Sequence, residues 1–220
     1  GKGGGIAVTT GSNNTILGYL AGDAITTGAN NICIGNDAGG TITTGGTNTC
    51  IGNATGSNMT TQSANTFVGH GCGSNCTGAD NVAMGTNITI SSGSNNVFLG
   101  KSTAGNTTGG SNVGVGPYSL TAVTSGGTNA CLGASSGGQI TTSSNNTCIG
   151  NEAGGSGHSG SLTTGERNVL IGYMVVPSAA DGDNQIVIAT DDGAAAARYP
   201  GTAGKGDDTG FIDPNQGAMY

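Results

Sequence analysis

The amino-acid sequence predicts an all-β protein built as a parallel β-roll, or β-solenoid, of about eleven coils of 15–17 residues. Three observations predict it. A five-residue motif recurs ten times at near-constant spacing, short apolar runs are bounded by Gly, Asn and Ser, and no window carries the apolar spacing of a helix. Bulk composition alone, with 46 Gly among 220 residues and only 8% charged, suits a disordered linker. Regular placement of the apolar residues argues otherwise, because it is what a stacked core needs.

The motif is Asn, three residues, then Gly, with an aliphatic just before the Gly. It begins at Asn14, Asn31, Asn48, Asn65, Asn81, Asn96, Asn112, Asn129, Asn146 and Asn168, in steps of 17, 17, 17, 16, 15, 16, 17, 17 and 22. A degenerate eleventh copy begins at Asn184, and the 22-residue step holds an insertion, GGSGHSGS, read as a surface loop. Six residues before the motif Asn stands an apolar residue (Val8, Ile25, Ile42, Met59, Ile90, Val123, Ile140, Leu162), usually followed by Thr-Thr. One coil is therefore expected to hold two short strands and two turns. Helical repeats need about 33 residues or more, so this period suits a coil pairing with the next at ~4.8 Å. Gly serves the tight turn. The motif Asn is expected to point inward, bonding turn backbone and stacking on the Asn of neighbouring coils.

Side chains along a strand alternate between faces. The aliphatic before each Gly, with the residue two before it, is expected to line the inside of the coil. The residue between them would then face out: Ile16, Cys33, Cys50, Phe67, Ala83, Phe98, Gly114, Cys131, Cys148 and Leu170. A continuous apolar stripe of that kind marks an interface. These ten positions are expected to pack against other copies of the chain around a common axis. The alternative is that a loop or the C-terminal segment covers the stripe within one chain.

A net charge of −7 with five scattered basic residues argues against nucleic acid as partner. No apolar run approaches the ~20 residues of a membrane span. Seven of the twelve acids lie after residue 180, so two zones are expected: a β-roll over 1–190 and an acidic, non-repeat tail or neck over 191–220. The lack of a leader and of an initiator Met is the mark of a processed chain or a fragment.

The strand pattern N-x-[C/A/F]-[I/L/V]-G preceded by apolar-Thr-Thr-Gly resembles the YadA-like head repeat of trimeric autotransporter adhesins. It also resembles the SNNTxIG repeats of phage tail-fibre and other virion fibre proteins. The likeness runs over about residues 5–190. It implies a trimerising left-handed roll that presents an attachment surface on a virion or cell surface, with a cell-surface receptor or glycan as partner. Asn stands where the adhesin pattern usually has Ser, and Cys or Phe replaces Ala at several positions. NQIVIATDDG resembles the segment that closes such repeats before a neck.

Cys33, Cys50, Cys131 and Cys148 share one repeat position, in two pairs on consecutive coils. They are read as buried thiols acting as small hydrophobes, with disulfides within or between chains as the alternative. Cys72 and Cys76 could form a local disulfide. No zinc spacing occurs, and no cofactor or metal is expected. Paired acids in the tail could hold Ca²⁺, although a solvated tail accounts for them as well.

Gly133-Ala-Ser135-Ser-Gly137 spells a nucleophile elbow, yet it lies in a repeat turn. Gly100-Lys101-Ser102 has the end of a phosphate loop without its first Gly or a helix. Seven Asn-x-Ser/Thr sequons (Asn13, Asn53, Asn58, Asn75, Asn87, Asn106, Asn145) are what the composition provides by chance. The sequence thus points to a non-enzymatic structural or attachment rod. The Thr pairs Thr26/Thr27, Thr43/Thr44, Thr60/Thr61, Thr141/Thr142 and Thr163/Thr164 suggest the alternative of an ice-binding solenoid. A polysaccharide-cleaving solenoid would need clustered carboxylates, and the repeats carry only Asp23, Asp37, Asp80, Glu152 and Glu166.

Overall fold

The structure, a computed structural model, describes residues 2–155, 157 and 160–189 and the backbone of Gly210–Asp213. The chain divides into two compact units, Gly1–Ser111 and Asn112–Tyr220. All regular elements among the described residues are β-strands, and together the two units hold about ten solenoid coils.

In the first unit six strands pair in parallel and in register: β1 (Thr15–Leu17), β2 (Ile32–Ile34), β3 (Thr49–Ile51), β4 (Thr66–His70), β5 (Val82–Thr86) and β7 (Val97–Lys101). Two short strands between them, β6 (Thr89–Ile90) and β8 (Gly105–Thr107), form a small second sheet. The second unit repeats the plan with β9 (Val113–Val115), β10 (Ala130–Leu132), β11 (Thr147–Ile149), β12 (Val169–Ile171), β13 (Ile186–Ala189) and β14 (Gly210–Asp213). β14 belongs to the segment expected to lie outside the roll, and its backbone extends the sheet.

The expected second strand of each coil is formed only at β6 and β8. Elsewhere the apolar-Thr-Thr segment hands hydrogen bonds from coil to coil without running extended. The carbonyl of Thr26 accepts from the amides of Thr9, Thr10 and Gly11 at 3.0–3.2 Å, so three successive donors converge on one acceptor and the chain must bend.

In the ten Asn-motif copies the strand hands over to a turn through a Gly, and in β13 Ala189 stands in that place. At Gly52 φ is 128°, and a Cβ would overlap the carbonyl oxygen of Gly69 on the next coil. A second positive-φ site, just before each motif Asn, tolerates side chains: Asn13, Asn30, Thr47, Ala64, Asp80 and Asn95 in the first unit all lie between 57° and 61°.

The motif Asn side chains point inward and form a hydrogen-bonded ladder, as expected. Asn31 Nδ2 donates to Asn14 Oδ1 (3.2 Å) and to the Gly45 carbonyl (2.9 Å), and the Asn31 amide donates to the same Asn14 Oδ1 (2.9 Å). The scheme recurs at Asn48, Asn65, Asn81 and Asn96, and in the second unit at Asn129, Asn146 and Asn168. In the eleventh copy the ladder position belongs to Gln185, whose amide donates to Asn168 Oδ1, rather than to Asn184, which takes the positive-φ place before it. Among the described buried side-chain N and O atoms, Thr107 Oγ1 is left without a partner, so burying ten carboxamides costs little.

The two strand faces are the reverse of the expected assignment. Cys33, Cys50, Phe67, Ala83 and Phe98 are fully buried inside the first unit, with Ile16 half-buried on β1. Gly114, Cys131, Cys148 and Leu170 are buried inside the second. None of the ten forms an outward stripe. The reason is the period of two: residue i and residue i+2 share a face, so an inward Asn14 places Ile16 inward too. These side chains meet Ile25, Ile42, Met59, Cys76 and Ile90 in one unit, and Val123, Ile140 and Leu162 in the other, all buried.

Large and small residues alternate along this core. Phe67, Ala83 and Phe98 lie in register on β4, β5 and β7. The Phe67 ring fits because residue 73 is glycine; a Cβ there would overlap it. Phe67→Ala should therefore cost about 3–5 kcal/mol, read as a lower urea midpoint at unchanged slope, because neighbours on both coils are fixed by backbone ladders and cannot collapse into the void.

Candidate functional site

With the middle residue turned in, its two neighbours turn out. On the first unit the outward positions are Thr15/Leu17, Ile32/Ile34, Thr49/Ile51, Thr66/Val68, Val82/Met84 and Val97/Leu99. On the second they are Val113/Val115, Ala130/Leu132, Thr147/Ile149, Val169/Ile171 and Ile186/Ile188. No charge stands at any of them. Leu17 is 62% exposed, Leu132 51%, Ile186 46% and Met84 45%. Each unit so presents a sheet face two residues wide, uncharged and predominantly apolar, with Thr as its only polar residue. Scattered apolar residues on a surface need no explanation, but a contiguous patch marks a contact site.

The residue after each turn Gly forms the rim of this face. In the first unit it reads Tyr19, Asn36, Asn53, His70, Thr86 and Lys101, of which Asn53 Nδ2 donates to Asn36 Oδ1 at 3.2 Å. In the second it reads Pro117, Ala134, Asn151 and Tyr173, with Tyr173 42% exposed. An apolar centre with a polar and aromatic rim is the composition of a protein interface.

The Thr pairs do two different jobs. The first Thr spends its hydroxyl on the ladder: Thr26 Oγ1 donates to the Thr43 carbonyl (3.2 Å), Thr43 Oγ1 to that of Thr60 (3.1 Å), and Thr141 Oγ1 to that of Thr163 (3.1 Å). The second Thr (Thr27, Thr44, Thr61; Thr142, Thr164) is exposed. What remains for a partner is a single file of hydroxyls.

All six cysteines are free, buried thiols. Burial pushes Cys33 up to about 11 and Cys72 up to about 12, and it raises Cys76 as well. The Cys50 thiol is raised by burial and then by the neighbouring Cys33, Cys72 and Cys76. Cys72 and Cys76 are not joined: Cys72 Sγ donates to the Ala83 carbonyl at 3.2 Å and Cys76 Sγ to that of Gly78 at 3.4 Å.

The catalytic look-alikes sit in scaffold positions. Ser135 has φ 55° and occupies a repeat turn, as does Glu152 on the next coil (φ 56°). Lys101 ends β7 and Ser102 follows it in a turn with φ 50°. The seven sequon asparagines are exposed. Asp37 is raised by partial burial and then by the nearby Asp23, yet among the described residues no three His, Cys, Asp or Glu gather as a metal cluster. Among those residues, too, no helix is long and apolar enough to cross a membrane. The acids Asp191, Asp192, Asp207 and Asp208, considered for Ca²⁺, lie outside the described residues.

No protein-family model matches the chain, and no curated protein or solved structure is significantly similar to it.

Proposed function

We propose that this chain is a non-enzymatic structural and attachment module whose coils associate as a homotrimer around a common axis. The outward sheet face, not the residues first expected there, is the surface that does so. One observation carries the proposal: a face mostly of Leu, Ile, Val and Met side chains, with a few Thr, that is uncharged throughout and up to 62% exposed. Burying such a face returns about 25 cal/mol per Å² of apolar surface, and a homotrimer buries it on every chain at once. Placement on a virion as a tail or capsid fibre, or on a cell surface, rests on the resemblance to YadA-like heads and virion fibre repeats. So does a receptor or glycan as partner. In that setting the regular coils would repeat weak contacts, and multivalency would raise avidity without a deep pocket.

Static light scattering should give a mass of about 63 kDa, three times the 21.0 kDa of one chain. Leu132→Asp should shift that mass towards 21.0 kDa while the far-ultraviolet spectrum of the sheet is retained. A wild-type monomer that stays soluble with this face in water would end the proposal. The ice-binding alternative predicts thermal hysteresis, and none is expected here, because the first Thr of the pairs spends its hydroxyl on the backbone and only a single file remains exposed.

A further inference from the structure

Six cysteines in a chain with no disulfide pose a question of placement. The inward position of the strand accepts Ile, Phe, Ala, Gly and Leu, so size alone does not demand sulfur there. Yet when Cys occurs at this position it never occurs singly. Cys33 faces Cys50 in register across β2 and β3, and Cys131 faces Cys148 in register across β10 and β11. One pair lies in each compact unit. All four side chains are no more than 1% exposed, each pair inside its own unit. Cys148 is within hydrogen-bonding reach of Cys131. Cys131 and Cys148 are in-register partners, as are Cys33 and Cys50, although Cys50 also has Cys72 and Cys76 nearby.

We infer that Cys33 with Cys50, and Cys131 with Cys148, form a redox-dependent lock: a disulfide staple between consecutive coils, for which the structure shows the reduced state. In-register parallel strands lie ~4.8 Å apart, inside the 4.4–6.8 Å window of Cα separations that a disulfide spans. From that spacing the Cβ atoms must lean together by about 1 Å to reach the ~3.8 Å typical of bridged pairs. In each staple two thiols give up two protons and two electrons and one S–S bond forms. The oxidant is a small disulfide such as oxidised glutathione, which accepts them and leaves as two thiols.

Timing follows from burial. The attacking species is the thiolate, and burial pushes Cys33 to about 11 and raises Cys148 as well, through its contact with Cys131 and then through burial. The closed coil therefore reacts slowly. The staple forms while the coil is still open, during folding. Cys72 and Cys76 lie outside the strands and have no in-register partner, and they are the internal contrast expected to remain reduced.

The test is oxidative refolding of the full chain. Denatured, reduced protein is refolded with a glutathione redox buffer or with excess reductant, and peptides are mapped without reduction. Free thiols should fall from six to two, with Cys33–Cys50 and Cys131–Cys148 as the cross-linked peptides. The melting temperature should rise by several degrees over that of the reduced chain. Natively folded, reduced protein given the same buffer should retain all six thiols for far longer. Cys148→Ala, a substitution by the residue that position 83 already carries, should remove one cross-link and leave Cys131 as a free thiol. Six thiols after oxidative refolding would overturn the inference. So would links dominated by Cys50–Cys72 or by bonds between chains.

Discussion

Asn48→Ala should be among the most destabilising single substitutions in the first unit, at about 3–5 kcal/mol. The estimate comes from counting what the side chain serves. Asn48 Nδ2 donates to Asn31 Oδ1 (3.1 Å) and to the Gln62 carbonyl (2.8 Å), and Asn48 Oδ1 accepts from the Asn65 amide (3.1 Å). Removal strands the Gln62 carbonyl and the Asn65 N–H inside the coil, and each orphaned buried group costs about 1–3 kcal/mol. Asn31 Oδ1 keeps the Asn48 amide, so the loss is not total. Urea titration checks the size of the effect, and truncating the exposed Asn30 side chain, in Asn30→Ala, serves as the surface comparison. Asn48→Asp separates donor from acceptor. It keeps an oxygen for the Asn65 amide but turns a second oxygen towards the Gln62 carbonyl and buries a charge. Burial raises the folded-state pKa of that carboxyl above its unfolded value. Its destabilisation should therefore be greatest at neutral pH and shrink as pH falls, since protonation favours the folded chain.

The same ladder explains how far the sequence could be read. Ten Asn-containing copies fixed the coil length, the parallel pairing and the inward direction of Asn, because those depend on period and on a side chain that must be satisfied wherever it is buried. Two rules meet on each strand and point opposite ways. The aliphatic before each Gly is the most regular apolar position, and regularity suggested a core. Alternation from the inward Asn required the opposite, and alternation decides, since a strand cannot turn residues i and i+1 to the same side. Leu17, Leu132 and Ile188 are regular because they line an exposed face, at 62%, 51% and 37%. Composition gave no warning of this, as both faces are apolar. Nor did it reveal that the apolar-Thr-Thr segment bends: its alternation imitates a strand, and only the convergence of three amides on the Thr26 carbonyl distinguishes it.

Gly52→Ala should match or exceed the loss at Asn48, for a reason that no repacking relieves. Gly52 has φ 128°, a conformation that side chains rarely adopt and that costs on the order of 1–3 kcal/mol to impose. Space is the second problem. A Cβ at residue 52 would overlap the Gly69 carbonyl oxygen and sit 2.7 Å from the Gly69 carbonyl carbon, and both atoms are backbone of the next coil. The two coils can separate only by lengthening the bonds between them, such as Thr49 N–H to the Asn65 carbonyl (2.8 Å) and Gly71 N–H to the Asn53 carbonyl (3.0 Å). Because each coil contacts chiefly its neighbours, the break should uncouple the coils on its two sides rather than lower one midpoint uniformly. Hydrogen exchange should then show lost protection at Thr49, Ala64 and Gly71, whose amides bridge the two coils, before the ends of the unit respond. The converse substitution lies nearby. Ala64 holds φ 60° at an exposed turn, so Ala64→Gly relieves strain and should leave stability unchanged or raise it by up to about 1 kcal/mol. Equal losses at both sites would mean that backbone entropy, not close approach, governs the turns, and the stacking geometry of the coils would need another cause.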